Sequence, residues 1–272
     1  MNHVLDDIRF LGDSKHRAVV LDRLSERPCS RGTLREATGA SSATVGRILQ
    51  SFEERGWLTR EGSTYRLTAV GTFVARSFAR FRHELALAGE LTELLPHVPL
   101  DDIGIGVDRL ADAFVTRATQ TNPFAVVSRV RELELDSETA LSLTDFFPEP
   151  CIDGRYEAIV HGTQTFEAVF APVVVRAAMA SDSADKFAAI VASDRTEITV
   201  YDGPIPQPVM FHDGTACLVV RDEENISIGM IETDDPAVVE WVLDLFERFQ
   251  ADATALSRVD LAEPLEEVLS RA

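Results

Sequence analysis

Residues 14–68 carry helix-starting and helix-ending residues at intervals that leave room for one order of elements. Ser14 stands where an N-cap belongs, and Ala18, Val19, Leu21 and Leu24 then recur at helical spacing until Pro28. Ser30 opens a second, short helix with Leu34 and Ala37 apolar, and Gly39 takes the C-terminal cap position that favours a left-handed residue. Ser41 starts a third helix that runs to about Arg55; Val45, Ile48, Leu49 and Phe52 fall on one face, and Gly56 ends it. Two extended stretches follow, 57–60 and 64–68, joined by Glu61, Gly62 and Ser63, which predicts a short hairpin.

Three helices followed by a two-stranded wing form the winged helix-turn-helix plan. With its apolar side inward, the third helix turns Ala43, Arg47, Gln50 and Glu54 outward, flanked by Thr44 and Gly46. Arginine reads guanine and glutamine reads adenine through paired hydrogen bonds, and small residues such as Ala43 and Gly46 let a helix approach a groove closely. Ser41, Ser42 and Thr44 stand at the positive helix N-terminus, where hydroxyls and backbone N–H groups suit phosphates. Arg31 and Thr33 are further phosphate candidates. Arg60, Tyr65 and Arg66 surround the turn at Gly62, where they can reach a minor groove or flank a backbone. Arginine and glutamine are also common on solvated faces; it is the set, with the hairpin behind it, that points to double-stranded DNA.

Charge placement agrees. Acids number 45 and bases 26, a net charge of −19, yet residues 1–88 hold 14 bases and 10 acids while residues 89–272 hold 12 bases and 35 acids. A polyanion would have to meet this basic head, because the acidic body repels it. Lys15 and Lys186 are the only lysines. An acidic surface stripped of lysine is expected of a cytoplasm at very high salt, where hydrated carboxylates keep protein soluble. No apolar run approaches the roughly 18 residues of a membrane span, and the start MNHVLDDIRF carries acids where a secretory leader carries basic then apolar residues, so the expected location is cytoplasmic. Cys29, Cys151 and Cys217 are far apart and lack a Cys-x-x-Cys pairing, which predicts reduced thiols, with Cys151 the most exposed, and neither a disulfide framework nor a metal site. No cofactor is expected.

From 69 to about 95 runs a helical pattern without an internal proline. Val74, Phe78, Phe81, Leu85 and Ala88 are spaced 4, 3, 4 and 3, a heptad seam broken at Thr92, which suits pairing with the same helix of a second copy and predicts a homodimer. The alternative is an amphipathic helix lying on its own domain. Pro96 and Pro99 close the segment and divide the chain into a head (1–68), a linking helix (69–96) and a body (97–272). In the body, helices are expected over 107–120 and 123–133, the second with Asn122 as cap, and over 163–180 and 183–193, with Pro172 dividing the former. Strands are expected over 140–144, 157–161, 197–201, 209–211, 216–221 and 226–232, the last three as an antiparallel meander, before a closing helix from Asp235 and Pro236. The body is thus α/β with a mixed sheet, and the chain as a whole α+β.

The stretch SRGTLREATGASSATVGRILQSFEERGWLTREGSTYRLTAVG resembles the DNA-binding domain of archaeal winged-helix regulators of the ArsR-like kind. TQTNPFAVVSRV from Thr119, ITVYDGPIPQPVMFHDGTACLVV from Ile198 and GMIETDDPAVVEWVLDLFERFQ from Gly229 resemble the accompanying domain of the archaeal methanogenesis-regulator family, relatives of which abound in salt-loving archaea. The resemblance implies a sequence-specific transcription regulator with a C-terminal sensing domain similar in fold to phospholipase-D-like regulator domains. Phospholipase-D-type catalysis needs a histidine with a lysine two residues on; His161 is followed by Gly162 and Thr163, and His212 by Asp213 and Gly214. A Gly-x-Ser-x-Gly elbow, a phosphate loop and a His-Glu-x-x-His helix are absent from the sequence too, so no enzyme is expected. A small-molecule effector would bind beyond the carboxyl ends of strands, where Asp145, His161 and Asp202 are placed, although each serves equally as a turn residue. The competing reading is a protein-interaction module that uses the winged helix and the acidic body to dock proteins.

Overall fold

The computed structural model describes residues 2–98, 105–257 and 261, so Pro99 lies outside the described residues. The chain divides into two compact units, Met1–Ala86 and Leu87–Ala272.

The first unit begins with a helix that the sequence reading did not anticipate, α1 (Asn2–Gly12), and continues with α2 (Lys15–Glu26), β1 (Cys29–Ser30), α3 (Arg31–Thr38), α4 (Ser42–Glu54), β2 (Leu58–Glu61), β3 (Thr64–Leu67) and the start of α5 (Ala69–Leu91). The capping chemistry places these boundaries. The Ser30 and Ser41 hydroxyls accept the Thr33 and Thr44 N–H groups, and Gly39 ends α3 at φ 64°. Gly62, also at φ 64°, turns β2 back into β3. The three strands lie in the order β1-β3-β2, against a core of Leu21, Leu34, Val45, Leu49 and Phe52, with Trp57 and Tyr65 at its margin. The α1 helix is fastened by Phe10, whose ring centroid lies 4.0 Å from the Arg17 guanidinium and 3.7 Å from that of Arg55, and by an Arg55–Asp7 ion pair at 3.1 Å.

The second unit is built on an eight-stranded mixed sheet in the order β11-β7-β6-β5-β8-β9-β10-β4. Its elements are β4 (Phe114–Arg117), α6 (Ala125–Asp136), β5 (Thr139–Thr144), α7 (Glu149–Tyr156), β6 (Thr165–Phe170), α8 (Pro172–Met179), α9 (Ala184–Val191), β7 (Thr196–Val200), β8 (Val209–His212), β9 (Thr215–Arg221), β10 (Ser227–Thr233), α10 (Pro236–Ala251) and β11 (Thr254–Ala255). Strands β5, β6 and β7 pair in parallel, and β8, β9 and β10 form the expected antiparallel meander. One face, with Leu143, Val169, Leu218 and Ile231, packs on α10 and on Leu87, Leu91 and Leu94. The other carries Phe166, Ala168 and Phe170 under α7–α9, and Met210, Cys217 and Met230 under α6.

Three expected elements are corrected. Segment 157–161 is not a strand but a π-helical turn that prolongs α7, with Ile159 fully buried. Segment 163–180 is divided at Pro172 as expected, but only its second part is helical: its first part is β6, a central parallel strand, and α8 begins at Pro172. Segment 107–120 holds a short 3-10 turn, Val107–Leu110, and then β4, whose pairing with β10 covers the edge of the meander. Asn122 does not cap α6 directly: it pairs with Thr119 across a tight bridge, and the helix starts at Ala125.

The heptad pattern of α5 is shared among different surroundings. Val74 and Phe78 pack on the core of the first unit, whereas Phe81 and Leu85 are 42% and 57% exposed and Ala88 is exposed. Val70 and Phe73 add further exposed apolar surface to this helix.

Candidate functional site

On α4 the inner residues Val45, Ile48, Leu49 and Phe52 are buried, which fixes the helix and leaves Ser42, Ala43, Arg47 and Gln50 exposed on the opposite side, with Thr44 partly covered. The Arg47 guanidinium has no partner among the described residues. Gln50 donates to Glu54 at 3.0 Å, and the Ser41 hydroxyl is occupied by the Thr44 N–H at 3.2 Å. Arg31 bridges α3 and α4, giving Nη2 to the Ser42 carbonyl oxygen at 2.5 Å. A Cβ on Gly46 would lie 2.3 Å from that nitrogen, so the missing side chain of Gly46 makes room for Arg31. Thr33 is exposed and its hydroxyl shares a hydrogen bond with Ser30 at 3.0 Å.

In the hairpin, Thr59 faces Arg66 and Arg60 faces Tyr65, and side chains of opposed pairs share a face, so Arg60 and Arg66 point to opposite sides. Tyr65 is 8% exposed and belongs to the core, which corrects its assignment as a DNA contact. Arg60 lies 5.7 Å from the Tyr65 ring and donates Nε to the Gly62 carbonyl oxygen at 2.8 Å, and Arg66 approaches Glu61 at 3.5 Å.

In the second unit the three effector candidates do not form one site. Asp145 follows β5 and Asp202 follows β7 at the carboxyl edge of the parallel strands, whereas His161 precedes β6 at the opposite edge, its ring edge-on to Tyr156 at 5.1 Å. Asp202 is exposed, and Asp145 pairs with Arg221 at 2.6 Å.

A buried polar cluster escaped the sequence reading because its members are scattered through the chain and each is of an ordinary type. Arg155, fully buried, donates Nη1 to Gln164 at 2.6 Å and Nη2 to Glu134 at 3.3 Å, and the Ser137 hydroxyl meets His212 Nδ1 at 3.1 Å. Gln164 Nε2 reaches both the Glu134 and the Ser137 carbonyl oxygens at 2.8 Å. Burial pushes the Glu134 carboxyl up to about 7 against the pull of Arg155. Burial, with the nearby Arg155 charge, lowers His212 to about 3, so its imidazole is neutral near pH 7. All three cysteines are buried, Cys151 included, contrary to expectation, and burial raises the Cys151 and Cys217 thiols above the ordinary range, which keeps them protonated. Among the described residues no group of three histidine, cysteine or acidic side chains is placed to hold a metal ion, and no helix is long and apolar enough to cross a membrane.

Residues 5–90 match the family model of the HVO_A0261 N-terminal domain, and residues 123–252 match that of the middle domain of the methanogenesis regulatory protein FilR1. Over residues 123–252 the chain is therefore similar to a domain of a regulatory protein. No curated protein matches it. Similar solved structures include TrmBL2, an archaeal chromatin protein, at 16% identity and a TM-score of 0.42 over 89% of this chain and 94% of that one. Another is Nuc, a phospholipase D family member from Salmonella typhimurium, at 12% identity and a TM-score of 0.41 over 53% of this chain and 97% of that one. NucT from Helicobacter pylori has 9% identity and a TM-score of 0.40 over the same shares. At these TM-scores the likenesses do not define the fold, and the reading of the site rests on its own residues.

Proposed function

We propose that this chain is a sequence-specific DNA-binding transcription regulator, with Met1–Ala86 as a winged helix, α4 as its recognition helix, and Leu87–Ala272 as an effector domain that does no chemistry. The observation that carries the reading is the outer face of α4. Its inner side is locked into a core while Arg47, free of any partner among the described residues, stands exposed beside Ala43 and Gln50. The match of residues 123–252 to the middle domain of a methanogenesis regulatory protein supports it. Arg31 holds the start of α4, so its part is to position the helix as well as to meet phosphate. Arg60 and Arg66, on opposite faces of the hairpin, leave one of them to the DNA backbone. The exposed Phe81 and Leu85 of α5 provide the apolar surface for a homodimer.

A binding titration tests the reading. Affinity for operator DNA should fall linearly in log–log form with salt, because phosphate contacts release counterions. Arg47→Ala should cost about 1–3 kcal/mol on the preferred sequence and flatten preference at one base position, whereas Arg60→Ala should weaken all sequences alike. Equal, sequence-blind losses from both variants would reject α4 as the reading helix. Salt-insensitive capture of a protein without any DNA binding would favour the interaction-module alternative.

A further inference from the structure

The stretch 27–52, which spans α3, the turn after it and most of α4, holds four arginines, Arg27, Arg31, Arg35 and Arg47, and a single acid, Glu36. In the whole chain acids outnumber bases by 45 to 26, so this surface reverses the balance. Arg31, at the start of α3, is exposed and gives Nη2 to the Ser42 carbonyl oxygen at 2.5 Å. Its guanidinium occupies the space that a side chain at position 46 would fill: a Cβ on Gly46 would stand 2.3 Å from Nη2 and 2.9 Å from Cζ. That bond uses one nitrogen and leaves Nε and Nη1 without a partner among the described residues. Arg35 follows one helical turn later, on the side of α3 that Arg31 turns toward α4. It is exposed, and its guanidinium too has no partner among the described residues. By contrast, the exposed Arg23 and Arg66 of the same unit are paired with Glu26 and Glu61.

In a helix-turn-helix the helix before the reading helix crosses the DNA backbone. Two guanidinium groups one turn apart on that helix offer several N–H donors to the phosphate oxygens of one strand, and the arm already bonded to α4 loses less freedom on binding. We propose that Arg31 and Arg35 form a clamp on the phosphate backbone of double-stranded DNA, and that Gly46 is the positioning residue that keeps the Arg31 arm in place. The inference deepens the regulator reading above and rests on it. The clamp carries no base preference, since phosphate contacts orient a protein without reading sequence.

Titration of the full chain with operator and unrelated duplexes, from about 0.2 to 0.6 M potassium chloride with sucrose present to favour the folded state, tests the clamp. Arg35→Ala should weaken both duplexes alike, about fourfold at 0.2 M, and make the log–log salt slope shallower by about 0.9, the change for one lost phosphate contact. Gly46→Ala keeps every charge, yet it should weaken binding as Arg31→Ala does, and should add nothing in an Arg31→Ala background, which a merely structural glycine would not show. Arg9→Ala is the control. Arg9 is also exposed and without a partner among the described residues, but α1 is tied through Asp7 and Phe10 to Arg55 and Phe52, near the end of α4 away from Ser42. Its loss should leave affinity and slope unchanged. An unchanged slope in a folded Arg35→Ala protein, a Gly46→Ala protein that binds as the parent does, or equal losses from Arg9→Ala and Arg35→Ala would overturn the clamp. Arg35→Ala alters an exposed side chain, and so decides the matter where Gly46→Ala fails to fold. Lost binding in Arg47→Ala beside undiminished binding in Arg35→Ala rejects the clamp and keeps the regulator reading; a parent chain that binds no duplex rejects both.

Discussion

A methyl group placed on Gly71 would lie 1.7 Å from the carbonyl oxygen of Trp57, a backbone atom that cannot swing aside, because α5 crosses the chain closely at that point. On Gly46 the nearest atom is the far end of a flexible arginine. Gly71→Ala should therefore destabilise the first unit by about 2–4 kcal/mol. Gly46→Ala should stay within about 1 kcal/mol of the parent, since a gain in helix propensity offsets the lost Arg31 contact. Urea denaturation of the two variants checks this, and equal losses would contradict the contrast. The buried cluster gives a pH prediction at the same scale. Glu134, raised from 4.5 to about 7, contributes stability that is complete below pH 4.5 and is lost as pH rises through 7. His212, lowered from 6.5 to about 3, contributes stability that is complete above pH 6.5 and is lost as pH falls through 3. The two trends oppose each other between pH 4.5 and 6.5. Relative to the parent, Glu134→Gln should gain stability with rising pH across that window and His212→Gln should lose it, each by up to about 1.4 kcal/mol per pH unit. Denaturation curves that stay parallel to the parent at every pH would show that neither group is held out of its ordinary range.

Among elements, α5 makes the sharpest distinction between two readings of one pattern. Phe78 packs on the first unit's core and lies beneath the Arg82 guanidinium at 5.2 Å, while Phe81 and Leu85 face outward. Phe78→Glu should cost about 2 kcal/mol of stability whatever the oligomeric state. Phe81→Glu with Leu85→Glu should leave stability of the isolated chain unchanged and convert a dimer to a monomer in light scattering; an unchanged dimer mass would remove α5 from the interface. A heptad seam alone could not separate these cases, because spacing reports that a residue is covered and not what covers it. Apart from α1 and the two-residue β1, the head was legible in the sequence since its caps, glycines and one-sided helices are local signals that the fold leaves intact. In the second unit the local signals misled where burial on both faces overrode them. The TFEAVF segment of β6 has alanine and glutamate that favour helix, yet it lies between two parallel strands with Phe166, Ala168, Val169 and Phe170 all buried. The EAIVH segment has β-branched residues that favour strand, yet it continues a helix because Ile159 is drawn into the core. In the candidate interface, Arg47 and Gln50 were readable from helical periodicity; the inward turn of Tyr65 depended on its pairing with Cys29 in β1, a two-residue strand with no periodicity to read. Asp145 stands after β5, at the strand end where the sequence put it, while its partner Arg221 is two strands away in the sheet order, beyond β8, and nothing local announces it.

At the scale of the whole chain, the charge boundary and the structural boundary nearly coincide: the basic excess fills residues 1–88, and the compact units part at Ala86 and Leu87. The body consequently gathers 35 acids and 12 bases on one folding unit. Among the described residues most of its ion pairs involve an exposed partner, such as Arg117–Glu93 and Arg129–Glu132, and pairs of that kind return little stability, so they do not balance the repulsion among the remaining carboxylates. Repulsion of this sort weakens as salt shortens the screening length from about 10 Å at 0.1 M to about 3 Å at 1 M. The melting temperature of the full chain should therefore rise steeply as potassium chloride goes from 0.1 to 1 M and level off above that, once the screening length is shorter than the spacing of surface charges. Sucrose supplies the control, because it favours compact states by exclusion from the surface without screening any charge. A melting temperature that sucrose raises as much as potassium chloride does, or that potassium chloride leaves unchanged, would show that the acidic surface is not what limits the stability of this protein at low salt.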